Sequence, residues 1–391
     1  MPERNAPEGP PQPEGTPPGG ADGSGAMDGS SAARGGFLGE LQDAVSFRAA
    51  FLLLGVFLVE LGFVVSYLGA FHSPTPRRIP VAVVAPAQVS GQVVARLNAL
   101  PGDPVRATPA PDAATARRQV LRRTVDAAFL VTPPSGAATP TDQLVVASAG
   151  GPSVAQTAAQ IAQQAERAEG RAVRIVDIRP PNPADGRGLS SFYLVIGLVV
   201  GGYLGAAALG MSYGTRPANL HRVTIRLGAL AVYAAVSGLA GVIVVDPVFD
   251  ALGGHFFELW GIGALTVLAA AAVGMGLQVV FGQVVGIALA LLVFVILGNP
   301  SAGGVYPSPL LPPFWSAIGQ ALPTGAATTL VRDTAYFHGH GTSLAWWVLT
   351  AWTVGGVLAA FLGALLLRGR GVLPAPAPAW PRSRGARHSR R

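Results

Sequence analysis

Between Leu259 and Gly298 the chain runs for about 40 residues without a charged side chain, which as one helix would reach roughly 60 Å at 1.5 Å per residue. That is about twice the hydrocarbon thickness of a bilayer, so the run must fold back on itself. Its weakest helical point lies between Gly274 and Gly286, where Gly276, Gln278, Gly282 and Gln283 concentrate glycine and polar groups. Two antiparallel spans, 259–277 and 281–298, are expected.

Four further apolar runs are long enough to cross a membrane: 47–71, 189–212, 227–245 and 344–367. The expected fold is an α-helical integral membrane protein with six transmembrane helices. Half of the 391 residues are hydrophobic and 12% are charged, which favours this class over a soluble enzyme. The run at 47–71 follows a long polar tail and has no A-x-A site after it, so it reads as an uncleaved anchor. The tail itself, residues 1–35, is rich in Pro, Gly, Ser and acidic residues and reads as disordered. In 36–46, Phe37, Leu38, Leu41 and Val45 share one helical face, as in a short helix lying on the membrane surface.

The segment 72–188, between the first and second spans, has a different pattern. Runs at 79–85, 125–131, 144–147 and 173–178 read as strands, and runs at 89–100, 112–123 and 154–168 read as amphipathic helices. Their alternation implies an inserted α/β domain between helices 1 and 2.

Orientation follows from the short basic segments, which stay cytoplasmic. The loop 213–226 carries Arg216, His221, Arg222 and Arg226, whereas Asp246, Asp250 and Glu258 make the connection after the third span acidic. The tail 368–391 carries Arg368, Arg370, Arg382, Arg384, Arg387, Arg390 and Arg391. Six spans place both basic segments and the N-terminus in the cytoplasm and leave 72–188 extracytoplasmic; five would strand the tail outside. The expected location is the cytoplasmic membrane. The net charge of +7 is thereby explained by topology, and no nucleic-acid partner is expected.

Several chemistries are excluded outright. The chain has no cysteine, so neither disulfides nor thiolates are available. All 27 Lys and Arg residues are arginine, so a phosphate-binding GxxxxGK[ST] loop is impossible and ATP could be hydrolysed only by a partner. HExxH, GxSxG and paired-carboxylate arrangements are missing, and no catalytic residue, cofactor or metal is expected. His338 and His340, with His72 and His255, are too poor in nearby carboxylates to form a convincing metal set.

Four segments carry a resemblance to a known family. RIPVAVVAP (78–86) and VDAAFLVTP (125–133) resemble its external strands, and NPADGRGLSSFY (182–193) its re-entry into the membrane. NPSAGGVYPSPLLPPFWSAIGQALPTGAATTLVRDTAYF (299–337) is similar to its glycine-proline loop and closing segment. These features, with one anchor, one external domain and five later spans, resemble the membrane subunits of type-2 ABC exporters, in the phage-infection-protein and YhgE-like branch. The resemblance covers roughly 47–368. It implies a permease that forms a homodimer or pairs with another permease, works with a separate nucleotide-binding ATPase, and moves a lipophilic or cell-envelope-related substrate outward. It also implies ATPase contact by Arg216, His221 and Arg222, and a re-entrant pair of short helices at 313–337 within the external 299–343 loop. The alternative is a non-transporting envelope scaffold, receptor or secretion-accessory protein.

Three further positions carry two readings each. Glu60, near the middle of the first span, is expected to face protein, either in a structural hydrogen bond or in a substrate or proton-coupling role. Gly197, Gly201 and Gly205 recur every fourth residue of the second span, forming a helix-packing stripe or a ligand contact. Arg332, beside Asp333, is either an external gate or an interfacial arginine among lipid headgroups.

Overall fold

The computed structural model describes residues 46–133 and 140–367. The expected tail 1–35, all but Ser46 of the surface helix 36–46, and the basic tail 368–391 lie outside these residues. The chain divides into two compact units, Met1–Phe57 and Leu58–Arg391. Of the first, the described part is the opening of an apolar helix, Phe47–Phe71, whose remainder belongs to the second.

Six helices among the described residues are long and apolar enough to cross a membrane: Ala49–Phe71, Ser190–Tyr213, Leu220–Val248, Phe256–Phe281, Gln283–Ser301 and Ser343–Leu366. The protein is a multi-pass membrane protein on that ground. The fourth span is the hub, packed against the second, third and sixth, and two-thirds of its apolar window is buried (67%). Small side chains permit this closeness, because a helix ringed by alanine and glycine lets neighbouring backbones approach. Ala269, Ala270, Ala271 and Ala272 are all fully buried.

The break in the long apolar run falls at one residue. Gly282 has φ +86°, a left-handed conformation that glycine adopts without a Cβ clash. The fourth span therefore continues to Phe281 and the fifth begins at Gln283, later than the expected boundaries at 277 and 281. The third span is also longer than expected, because it closes in a π-helical turn, Val244–Val248, that accommodates Pro247. At its other end Asn219 caps the helix by accepting from the backbone N–H of Arg222 at 2.9 Å. His221, Arg222 and Arg226 consequently sit on the helix and not in a loop, and the connection after Tyr213 shrinks to Gly214–Asn219.

Between the first and second spans in chain order lies a five-stranded sheet of order β2-β1-β3-β4-β5: Ile79–Val84 (β1), Val105–Pro109 (β2), Ala127–Leu130 (β3), Thr141–Val146 (β4) and Ala172–Asp177 (β5). All pairings are parallel except β3 with β4. The strand β2, VRATP, was not expected from sequence. It is short and ends in proline, which an edge strand tolerates because one side of its ladder is unpaired.

Alternation along the strands sets two cores. Ile79, Val81 and Val83 point with Phe129 and Leu144 into a core closed by helices Ala87–Asn98 and Pro152–Ala168. Ala82, Ala128 and Val145 point the other way, against helix Ala113–Leu121. This second core is continuous with that of the spans, through Ala149, Leu330 and Phe337.

Candidate functional site

The place where the sheet layer meets the spans is built from charged and polar side chains. Helix Pro323–Phe337 supplies three of them, Arg332, Asp333 and Tyr336, all buried. Its start is a proline first turn, which presets the helical φ, and it ends at His338 in the left-handed conformation with φ +52°. The helix packs against the second, fourth and sixth spans. Its polar side chains are thus fixed within a core.

Arg123 reaches this helix from just beyond the end of helix Ala113–Leu121. Its Nε lies 3.5 Å from Asp333 Oδ1 and its Nη1 3.4 Å from Asp126 Oδ1. Its Nη2 donates to the Gly150 carbonyl at 3.2 Å, and the guanidinium carbon stands 5.1 Å from the centroid of the Phe337 ring. One side chain thus gathers the sheet layer and the helix. Burial pushes the Asp333 carboxyl above its ordinary value, against the attraction of Arg123 and Arg332.

Arg332 donates from Nη1 to the Gly303 carbonyl at 2.9 Å and from Nη2 to the Gly304 carbonyl at 3.3 Å. It is neither an interfacial arginine nor exposed to headgroups: only 6% of it is accessible. The chain has wrapped Gly303–Gly304 around it, a close approach that a side chain at Gly304 would obstruct against the Phe192 ring.

Tyr336 completes the junction. Its hydroxyl donates to Asp185 Oδ2 at 2.8 Å, while the other carboxylate oxygen accepts from Ser190 N at 2.9 Å and Ser190 Oγ at 2.6 Å. Asp185 therefore ties the start of the second span to the same helix. Asn182 Nδ2 donates to the Asp250 carbonyl at 2.8 Å, adding the connection after the third span. Six separated stretches of chain meet at the junction: 123–126, 150, 182–190, 250, 303–304 and 332–337. These hydrogen bonds and ion pairs link the sheet layer to the spans.

The other expected site residues lie elsewhere. Arg216, His221 and Arg222 are exposed together at the Gly214–Asn219 connection. Arg226 donates to the carbonyls of Gly214 at 2.7 Å and Tyr213 at 2.9 Å, closing the end of the second span. Glu60 is exposed, not turned toward protein as expected, because the buried side of its helix is confined to Ser66 and Ala70 near the far end. Ser66 Oγ donates there to the Ile296 carbonyl at 2.6 Å. The rings of His255 and His338 meet edge-on with centroids 5.4 Å apart, and no group of three metal-ligating side chains occurs among the described residues.

The glycine stripe divides. Gly201 and Gly205 face Tyr233 of the third span, whose hydroxyl donates to the Gly201 carbonyl at 3.1 Å, whereas Gly197 has open space around it. The tightest backbone approach of the second span is one residue away, at Gly202, where an added Cβ would stand 2.6 Å from the Val267 carbonyl oxygen. A four-residue repeat drifts around a helix of 3.6 residues per turn, so a stripe drawn from spacing alone need not coincide with the buried face.

Sequence reasoning had singled out Arg332 but missed Arg123, Asp126, Asp185 and Tyr336. The adjacent opposite charges at 332 and 333, in an otherwise apolar helix, were the one local signal for a buried ion pair. No known protein family, no curated protein and no solved structure matches the chain.

Proposed function

We propose that this protein is the membrane-spanning permease subunit of an ABC-type exporter, moving a lipophilic or envelope-related substrate outward with energy from a separate ATPase. In this reading 72–188 is an inserted extracytoplasmic domain, both termini are cytoplasmic, and two permease copies pair in the cytoplasmic membrane. The observation that carries it is the Arg123–Asp333 contact, which joins the sheet layer to a helix lodged among the second, fourth and sixth spans. Movement of the sheet layer would then be felt directly by the helices that line a transport path. Arg216, His221 and Arg222, exposed together, offer the ATPase a basic contact.

Purification of a tagged copy from native membranes tests this. A protein with Walker motifs should co-purify and should be lost from an Arg216→Glu/Arg222→Glu variant; recovery without any ATPase overturns the reading. Because the chain lacks cysteine, orientation is testable separately. An impermeant maleimide should label Gln88→Cys and spare Ala218→Cys in intact cells.

The second reading, a non-transporting scaffold, receptor or secretion-accessory protein, is favoured by the brevity of the Gly214–Asn219 connection, which contains no helix for an ATPase to grip. Absence of an ATPase together with a ligand held by the sheet layer would support it.

A further inference from the structure

The order β2-β1-β3 contains a reversal. From β1 the chain passes through helix Ala87–Asn98 to β2 on one side; from β2 it returns through helix Ala113–Leu121, on the opposite face, to β3 on the other. Connections that part in this way leave a crevice at the carboxyl ends of the two strands, the general location of ligand sites in open α/β sheets. A cavity of about 540 Å³ lies there, lined by Pro86 just beyond β1 and by Val131, Thr132 and Pro133 just beyond β3. Its volume suits a small organic ligand.

One wall is apolar: Val89, Val93, Val131 and Pro133. The other is charged. Glu166, 1% exposed, pairs through Oε1 with Arg96, and Arg171 lies 2.7 Å from Asp142 Oδ2 and 3.3 Å from Glu166 Oε2. Behind this wall, shielded from solvent, Glu166 Oε2 has that ion-pair contact but no hydrogen bond, and Arg96 Nε has no hydrogen-bond partner. A buried acceptor and a buried donor left this way are costly unless something else completes them. At the cavity mouth Arg96 and Glu169, 35% and 51% exposed, stand in a loose 3.4 Å contact that a ligand carrying both charges could replace. Burial also pushes the Glu166 carboxyl up from its ordinary value.

We propose that this cavity binds a small zwitterion with an apolar body, an amino acid or short peptide, its ammonium directed to Glu169 and its carboxylate to Arg96. Its hydrocarbon lies along Val89, Val93 and Val131. A purely anionic ligand would meet the carboxylates of Glu166 and Glu169, and a purely cationic one would meet Arg96. The site does not depend on the exporter reading and stands or falls separately from it.

The test is calorimetric titration of the full-length chain in detergent with alanyl-leucine, its N-acetyl derivative and its C-terminal amide. The free dipeptide should bind, both capped forms should be at least about tenfold weaker, and Glu169→Gln should weaken the dipeptide by a similar factor. Glu169 is half exposed, so an unchanged unfolding temperature in that variant separates lost binding from lost folding. No binding of the dipeptide, equal binding of either capped form, or indifference to Glu169→Gln overturns the proposal.

Discussion

Arg123 Nε stands 3.5 Å from Asp333 Oδ1, and this single contact joins a turn after a helix of the sheet layer to a helix buried among the spans. The pair is largely shielded, with side chains 17% and 6% exposed. Removing Asp333 leaves Arg123 only Asp126 and the Gly150 carbonyl to balance it, which is more costly than removing both partners. Asp333→Leu should therefore lower stability by about 3 kcal/mol, and Arg123→Met should recover much of that loss in the double variant. Thermal unfolding in detergent of the two single variants and the double variant measures the coupling, and strict additivity would count against a working ion pair.

The same carboxyl predicts a pH dependence. Burial holds Asp333 above its ordinary 3.8, outweighing Arg123 and Arg332. A group whose pKa is raised on folding contributes stability below its unfolded pKa and loses it as pH rises through the folded value. Wild type should thus lose stability from this source as pH climbs out of the ordinary carboxylate range, and Asp333→Asn should not. The gap in unfolding temperature between wild type and Asp333→Asn is expected to narrow with rising pH; a gap that widens would reverse the sign of the argument.

Gly202 and Gly197 should respond oppositely to bulk. At Gly202 a side chain would meet the Val267 backbone oxygen at 2.6 Å, and backbone cannot swing aside; at Gly197 it would meet open space. Gly202→Leu should cost at least about 2 kcal/mol and reduce the monodisperse yield, while Gly197→Leu should leave both near wild type. Size-exclusion profiles of the two variants provide the comparison.

Glu60 faces outward from an apolar helix. A carboxylate in that position costs about 2.5–3.5 kcal/mol on insertion scales. Glu60→Leu should accordingly improve membrane insertion of the first span without lowering the unfolding temperature, while Glu60→Gln should fold normally and impair activity. Wild-type performance of Glu60→Gln in a transport or envelope-stress assay would remove the functional role.

The six apolar helices were legible because length without charge is a one-dimensional property, and so were β1, β3, β4 and β5, whose β-branched and apolar runs announce them. The strand β2 was hidden by Arg106 and Pro109, and it forms because β1 offers it an edge, not because VRATP favours it. Gly202 was overlooked in favour of a neighbouring stripe because spacing reports periodicity, whereas contact depends on which face the other helices happen to cover. The junction was the least visible feature. Arg123, Asp185 and Tyr336 are distant in sequence, and each alone looks like an ordinary polar residue near the end of an element. Glu60 was read as inward-facing on the cost of exposing it, but the helix buries little of its surface in this chain.

The elbow at Gly282 has a consequence for the fourth and fifth spans. With one residue between Phe281 and Gln283, and Gly286 folded back against the Gln278 backbone, no polar loop separates the fourth span from the fifth. The two helices are thus joined as a tight hairpin. A charged linker between Phe281 and Gln283 would free the fifth span from the fourth, while the second and third spans, made earlier in the chain, would still cover the hub of the fold.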